Sequence, residues 1–172
     1  ANALKVNTGN YNTCLGWHAL QNNTSAACNV AVGTSAMLAN TTGGSNAALG
    51  FSALSSNTTG GSNVAVGGQS LLNNTTGSAN VAVGWGAGVT GNSANANITG
   101  NNNVFVGYRA GPGTTTQLDN AIAVGCDAVV NANDTWVIGK LGTKQVIHEG
   151  ANACMGAVTL ASGTATVNTN KV

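Results

Sequence analysis

A five-residue phrase returns along this chain at a fixed interval. Asn29-Val30-Ala31-Val32-Gly33 recurs as Asn46-Ala47-Ala48-Leu49-Gly50, Asn63-Val64-Ala65-Val66-Gly67 and Asn80-Val81-Ala82-Val83-Gly84, after a first copy, Asn12-Thr13-Cys14-Leu15-Gly16. Gly16, Gly33, Gly50, Gly67 and Gly84 are therefore 17 residues apart. Three further copies end at Gly107, Gly125 and Gly139, at steps of 23, 18 and 14. The extra length before Gly107 is expected in a polar loop insertion over residues 91–102. A unit this short cannot enclose a core alone, but stacked units can. In a parallel β-solenoid each residue stands over its counterpart one turn earlier, about 4.8 Å away. Columns of residues then say more than rows.

The position two before the glycine holds Cys14, Ala31, Ala48, Ala65, Ala82, Phe105, Ala123 and Val137. This mostly small column suits the inside of a narrow coil. The position one before holds Leu15, Val32, Leu49, Val66, Val83, Val106, Val124 and Ile138, and points to the opposite face of the strand. A strand that is apolar on both faces is the pattern of a strand buried on both. The coil covers one face. A second covering is expected from other copies of the chain, packed as a homotrimer about this oligomer core, because an apolar column along a whole rod is too large a patch for a monomer. The opposite assignment puts the Val and Leu column inside and the alanines against a polar exterior.

Gly16, Gly33, Gly50, Gly67 and Gly125 are followed by Ala19-Leu20, Ala36-Met37, Ala53-Leu54, Ser70-Leu71 and Ala128-Val129, read as a second, shorter strand. Then come Asn40-Thr41-Thr42-Gly43, Asn57-Thr58-Thr59-Gly60 and Asn74-Thr75-Thr76-Gly77. These read as corners, because Gly and Asn accept positive φ at low cost. Stacked Asn12, Asn29, Asn46, Asn63 and Asn80 are expected to form an amide ladder. The Asn-X-Thr/Ser sequons at Asn23, Asn40, Asn57, Asn74, Asn97 and Asn133 are read as corner residues.

Composition removes several classes. Asn, Ala, Gly and Thr make up 99 of 172 residues (26, 27, 25 and 21). Charged residues are 5%, against about 25% in an ordinary domain, and none lies between Val6 and Tyr108. Disorder goes with low hydrophobicity and high net charge; here 42% of residues are hydrophobic and the net charge is +1. Five Lys and Arg against four acids make no basic stripe, so nucleic acid is not an expected partner. Heptads with charged flanks are absent, and no apolar run reaches the length of a membrane span, so no membrane insertion is expected. The chain opens at Ala1 without Met and without a basic-then-apolar leader, and reads as a processed chain or a fragment.

Few residues suit chemistry. Asp119 and Asp127 are candidates to approach on adjacent rungs, as a glycosidase pair must, but a surface role is favoured. His18 and His148 are isolated. No catalytic, cofactor-binding or metal-ligating residue is assigned, and no cofactor is expected. Cys14, Cys28, Cys126 and Cys154 form no CxxC pair, and their pairing is open. The residue after the repeat glycine reads Trp17, Thr34, Phe51, Gly68, Trp85, Tyr108, Cys126 and Lys140. Over the regular array its rings would stand two rungs apart. Trp17, Phe51, Trp85 and Tyr108, with Arg109, are candidate contacts for a sugar or receptor; packing at a chain seam is the favoured alternative.

Val64-Ala65-Val66-Gly67 resembles the strand-plus-glycine units in the head domain of trimeric autotransporter adhesins. The unit from Asn46 through Gly60 is closer to repeat regions of bacteriophage tail fibres and related virion appendages. Asn103-Val104-Phe105-Val106-Gly107-Tyr108-Arg109-Ala110-Gly111-Pro112 with Thr114-Thr115-Thr116-Gln117-Leu118 is similar to how such arrays end. The resemblance implies an all-β, left-handed parallel β-roll of about eight rungs, roughly 40 Å long at the usual strand spacing. The solenoid is expected over residues 1–142, with regular rungs over 12–96 and irregular ones over 103–142. Residues 143–172 read as a C-terminal β segment: Ala157-Val158-Thr159-Leu160 and Thr164-Ala165-Thr166-Val167 alternate as a hairpin and look like the opening of a tip domain. No autocleaving chaperone domain is visible. The resemblance implies a structural fibre on a virion or cell surface, with itself, other fibre proteins, and host glycan or protein as partners. The rivals are a bacterial adhesin or filament subunit, and an ice-binding solenoid built on the recurring threonine pairs. The last is disfavoured because the threonine face is expected to lapse at Gly86 to Gly91 and the rings spoil flatness.

Overall fold

The computed structural model describes residues 3–139 and the backbone of the strand 146–149. It is a parallel β-solenoid. Strands β1 (Thr13–Leu15), β2 (Val30–Val32), β3 (Ala47–Leu49), β4 (Val64–Val66), β5 (Val81–Val83), β6 (Val104–Val106), β8 (Ile122–Val124) and β10 (Thr135–Ile138) stack in that order into one parallel sheet. The eight strands complete about seven turns of the chain. Each step keeps the register read from the repeat: Ala31 pairs Ala48, Ala48 pairs Ala65, and Ala65 pairs Ala82. Strand β11 (Val146–Glu149) closes the sheet antiparallel to β10. Gly111–Pro112 (β7) and Val129–Val130 (β9) form a separate two-stranded sheet. No α-helix occurs among the described residues. The expected hairpin at 157–167 lies outside them.

The two strand columns separate as their spacing requires. Ala31, Ala48, Ala65, Ala82, Phe105 and Ala123 are wholly buried inside the coil, joined by Leu20, Met37, Leu54 and Leu71 from the opposite wall. The Val and Leu column faces outward. Leu15 is 69% exposed, Ile138 53% and Val66 36%. The reverse assignment, with the valines filling the coil, is excluded. A strand is apolar on both faces here because one face is the core and the other is the outside of the rod.

The second half of each coil differs from expectation. Ala36-Met37, Ala53-Leu54 and Ser70-Leu71 are turns, and only β7 and β9 make a second strand. The cause is backbone conformation. Ser35 and Met37, Ser52 and Leu54, and Gln69 and Leu71 all have φ between 48° and 58°. Left-handed residues at every second position curl the chain and prevent a strand. Corner glycines also play another part than expected. After the Asn-Thr-Thr-Gly corners the left-handed residue is Ser45, Ser62 or Ala79, with φ of 57° to 60°. The corner glycine is required by contact: a Cβ on Gly60 would lie 2.3 Å from the Gly77 carbonyl oxygen one rung on.

The insertion sits earlier than 91–102. In a regular coil the Asn74 N–H reaches the Leu71 carbonyl three residues back; here the Asn97 N–H reaches the Gly88 carbonyl nine back. The difference, 9 − 3 = 6, places all six extra residues between Gly88 and Asn97, where a short 3-10 turn forms at Ser93–Asn95. Residues 97–102 are an ordinary corner, so the stack passes the insertion without a break.

Two asparagine ladders run inside the corners. In the first, the N–H of Asn46 donates to Asn29 Oδ1 and the N–H of Asn63 to Asn46 Oδ1, at 2.9 and 2.8 Å. From Asn29 to Asn80 each Nδ2 donates to a corner glycine carbonyl of the next coil, as Asn46 does to Gly60 at 2.9 Å. This column was expected to form an amide ladder; its rung-to-rung bonds run mainly from backbone N–H to side-chain Oδ1, with one amide-to-amide bond, from Asn80 Nδ2 to Asn63 Oδ1 at 3.2 Å. The amide-to-amide ladder is the neighbouring column. Asn40, Asn57 and Asn74 each donate Nδ2 to the Oδ1 of the asparagine one coil earlier, at 2.8 to 2.9 Å. All these side chains are buried, which satisfies donors and acceptors that no water reaches. The sequon asparagines Asn23, Asn40, Asn57, Asn74 and Asn97 are all enclosed.

Candidate functional site

The outer face of the sheet is lined by apolar side chains. Leu15, Val32, Leu49, Val66, Val83, Val106, Val124 and Ile138 form one file along it, all half-buried or exposed. Val30, Ala47, Val64, Val81, Val104, Ile122 and Trp136 form a second file on the same face. Their neighbours along the strand point into the core, so this alternation is fixed by the pleat. The file is closed at one end by the repeat glycines. Gly16, Gly33, Gly50, Gly67, Gly84, Gly107 and Gly125 turn the chain off the sheet with φ of 125° to 140°, and Gly139 with 95°. A Cβ on Gly50 would stand 2.5 Å from the Gly67 oxygen, so neither the angle nor the stacking tolerates a side chain.

Immediately past those glycines stands the aromatic file. Trp17, Phe51, Trp85 and Tyr108 are all exposed, between 44% and 59%. They do not form one even row. Trp17 stacks on its neighbour His18 with centroids 3.7 Å apart, and Phe51 stands between Thr34 and Gly68. Trp85 and Tyr108 occupy adjacent rungs, with ring centroids 5.5 Å apart and planes within 18°. The bare Gly68 lies on the other side of Trp85, where a Cβ would meet Trp85 Cδ1 at 3.0 Å. Arg109 joins the pair, its guanidinium carbon 5.4 Å from the Trp85 centroid and 5.1 Å from that of Tyr108. Of the five candidate contact residues, the fold thus gathers three and leaves Trp17 and Phe51 apart.

Asp119 and Asp127 flank β8 within one coil and do not stand on adjacent rungs. Asp119 Oδ1 accepts from the N–H and Nδ2 of Asn101 at 2.6 and 3.2 Å, so it continues the corner's hydrogen bonding. Among the described residues no group of three His, Cys, Asp or Glu could hold a metal ion. Cys14, Cys28 and Cys126 are free thiols. Cys14 sits in the small interior column, and burial raises its pKa above the ordinary thiol value. No helix among the described residues is long and apolar enough to cross a membrane.

Exposed threonines make the last regular feature. Thr42, Thr59, Thr76 and Thr99 are exposed at successive corners. The file does not lapse at Gly86 to Gly91, because the insertion leaves this corner intact. The companion threonines are occupied: Thr41 and Thr58 donate Oγ1 to the backbone carbonyls of Thr58 and Thr75, each at 3.0 Å.

Comparison of the chain with protein-family models, with curated proteins and with solved structures returns no match.

Proposed function

We propose that this chain is a structural segment of a fibre, a phage tail fibre or similar virion appendage, that associates as a homotrimer and serves host attachment as a rigid shaft. One observation carries the reading: the outward Val/Leu file runs unbroken through all eight rungs, with no charged side chain in it. An apolar face of that length is stabilised by covering it. Identical chains are suited to the task, because equal rung spacing brings each file into register with its own copy. The backbone ladder and the two asparagine ladders stiffen the rod along its axis. The same arrangement serves a bacterial adhesin or filament subunit, and the assembly state separates these.

The test is the absolute mass of the purified chain by light scattering over a range of concentrations. The expected result is a stable particle of three times 16.8 kDa. A clean monomer overturns the proposal. Open-ended polymers replace it with a filament subunit.

The continuous file of Thr42, Thr59, Thr76 and Thr99 favours a second reading, an ice-binding solenoid. Its test is thermal hysteresis of the chain in solution, and a melting and freezing point that coincide remove it.

A further inference from the structure

We propose that Trp85, Tyr108 and Arg109 form a binding site for an acidic saccharide, a sugar ring that carries a carboxylate. Three departures from the repeat meet at this one place. Trp85 and Tyr108 are the aromatic pair that stacks across adjacent rungs. Arg109 is the only Lys or Arg between Val6 and Gly139. The six-residue insertion leaves the coil on the same side, immediately after Gly88.

The side-chain geometry ties the three together. Arg109 bends back over the preceding coil, where Gly86 offers no side chain; a Cβ there would stand 3.5 Å from Arg109 Cγ. Its Nη1 lies beside Gly91 of the insertion, 3.8 Å from where a Cβ would be. The guanidinium lies within 5.4 Å of both ring centroids, and among the described residues it makes no hydrogen bond or ion pair. The rings hold the guanidinium in place by cation–π attraction, so little rotamer freedom remains to be lost on binding. Its planar fork matches a carboxylate through two parallel hydrogen bonds. The exposed ring surface takes the apolar C–H face of a sugar, as aromatic platforms do. A neutral sugar would use the rings and leave the cation without a partner. An isolated anion would use the cation and leave the rings bare. An acidic sugar uses both.

The inference rests on the attachment reading for the source of the sugar, a charged polysaccharide of a host surface, and its test is independent of that source. The probes are a tetra-galacturonate and the neutral galactose tetramer, titrated calorimetrically into the full chain whose mass is measured in the same sample. The expected result is binding of the uronate, weakened about tenfold or more by Arg109→Gln and by Trp85→Ala, as loss of a charge-assisted contact implies. The neutral tetramer should bind more weakly and ignore Arg109→Gln. Arg109→Lys, which keeps the charge without the fork, should recover only part of the affinity. No binding of the uronate, or equal affinity in Arg109→Gln, overturns the proposal. So does a Trp85→Ala chain that changes mass while uronate affinity stays constant, since the rings then belong to a chain seam. A monomer that binds uronate keeps the site and removes the fibre; a trimer that does not bind does the reverse.

Discussion

Asn57 Nδ2 donates to Asn40 Oδ1 one coil earlier at 2.8 Å and to the Gly60 carbonyl of its own coil at 2.9 Å. Its own Oδ1 accepts from Asn74 one coil later. One buried side chain therefore satisfies groups in three successive coils. Asn57→Ala should strand all of them and cost on the order of 3 kcal/mol, read from the urea midpoint of the chain. Asn57→Asp should cost more near neutral pH, because a carboxylate cannot donate and is buried. That excess should shrink in acid, where the protonated group regains a donor. Equal stability of parent and both variants would show that the ladder contributes nothing.

Gly60 illustrates a steric demand without a conformational one. Gly60→Ala places a methyl 2.3 Å from the Gly77 oxygen, and the next coil must separate to admit it. Loss of several kcal/mol, or failure to fold, is expected of such overpacking. Gly91→Ala adds the same methyl in the insertion, 3.8 Å from its nearest neighbour, and should stay within about 0.5 kcal/mol of the parent. Thermal melts of the two variants side by side make the comparison.

Phe105 occupies the interior column that alanine mostly fills, and it fits because Gly88 leaves space in the opposite wall. A Cβ on Gly88 would lie 3.3 Å from Phe105 Cδ2 and 2.7 Å from Leu71 Cδ2. Phe105→Ala should open a cavity and cost about 3–5 kcal/mol. Gly88→Leu alone should clash. The double variant should recover much of the loss, because Leu20, Met37, Leu54 and Leu71 already take φ of 48° to 51° in that file. Additive losses in a double-mutant cycle would refute this pairing of volumes.

Val66 and Ala65 are neighbours with opposite surroundings. Val66→Lys changes the outer file and should leave the far-ultraviolet spectrum of the coil intact while lowering the particle mass to that of one chain. Ala65→Lys buries a charge in the core and should prevent folding. A trimer that survives Val66→Lys together with Leu49→Lys would place the chain contacts elsewhere.

Much of this was legible along the chain. The period, the register of the parallel sheet, and the division of Ala65 from Val66 all follow from a 17-residue spacing and strand alternation. These are properties of neighbours in a column, and a regular repeat places those neighbours without further information. The second half of each coil was not legible, because Met37 and Leu54 adopt a left-handed backbone that their side chains disfavour. Nothing in their residue type announces it; the stacked coils on either side impose it. The insertion lies several residues earlier than the polar composition of 91–102 suggests, because Asn and Gly are as common in the corner as in the loop, and only the Asn97 to Gly88 hydrogen bond marks where the coil resumes.

The amino-acid sequence by itself determined that the chain stacks, at what period, and which column is small enough to lie inside. The tertiary structure decided which asparagine pairs with which group and where Arg109 lays its guanidinium. The reason is physical. Periodicity records which positions repeat, and that is enough to assign a face. A hydrogen bond or a ring contact depends on side-chain direction at a corner, where left-handed residues and bare glycines turn the backbone by amounts that the repeat does not encode.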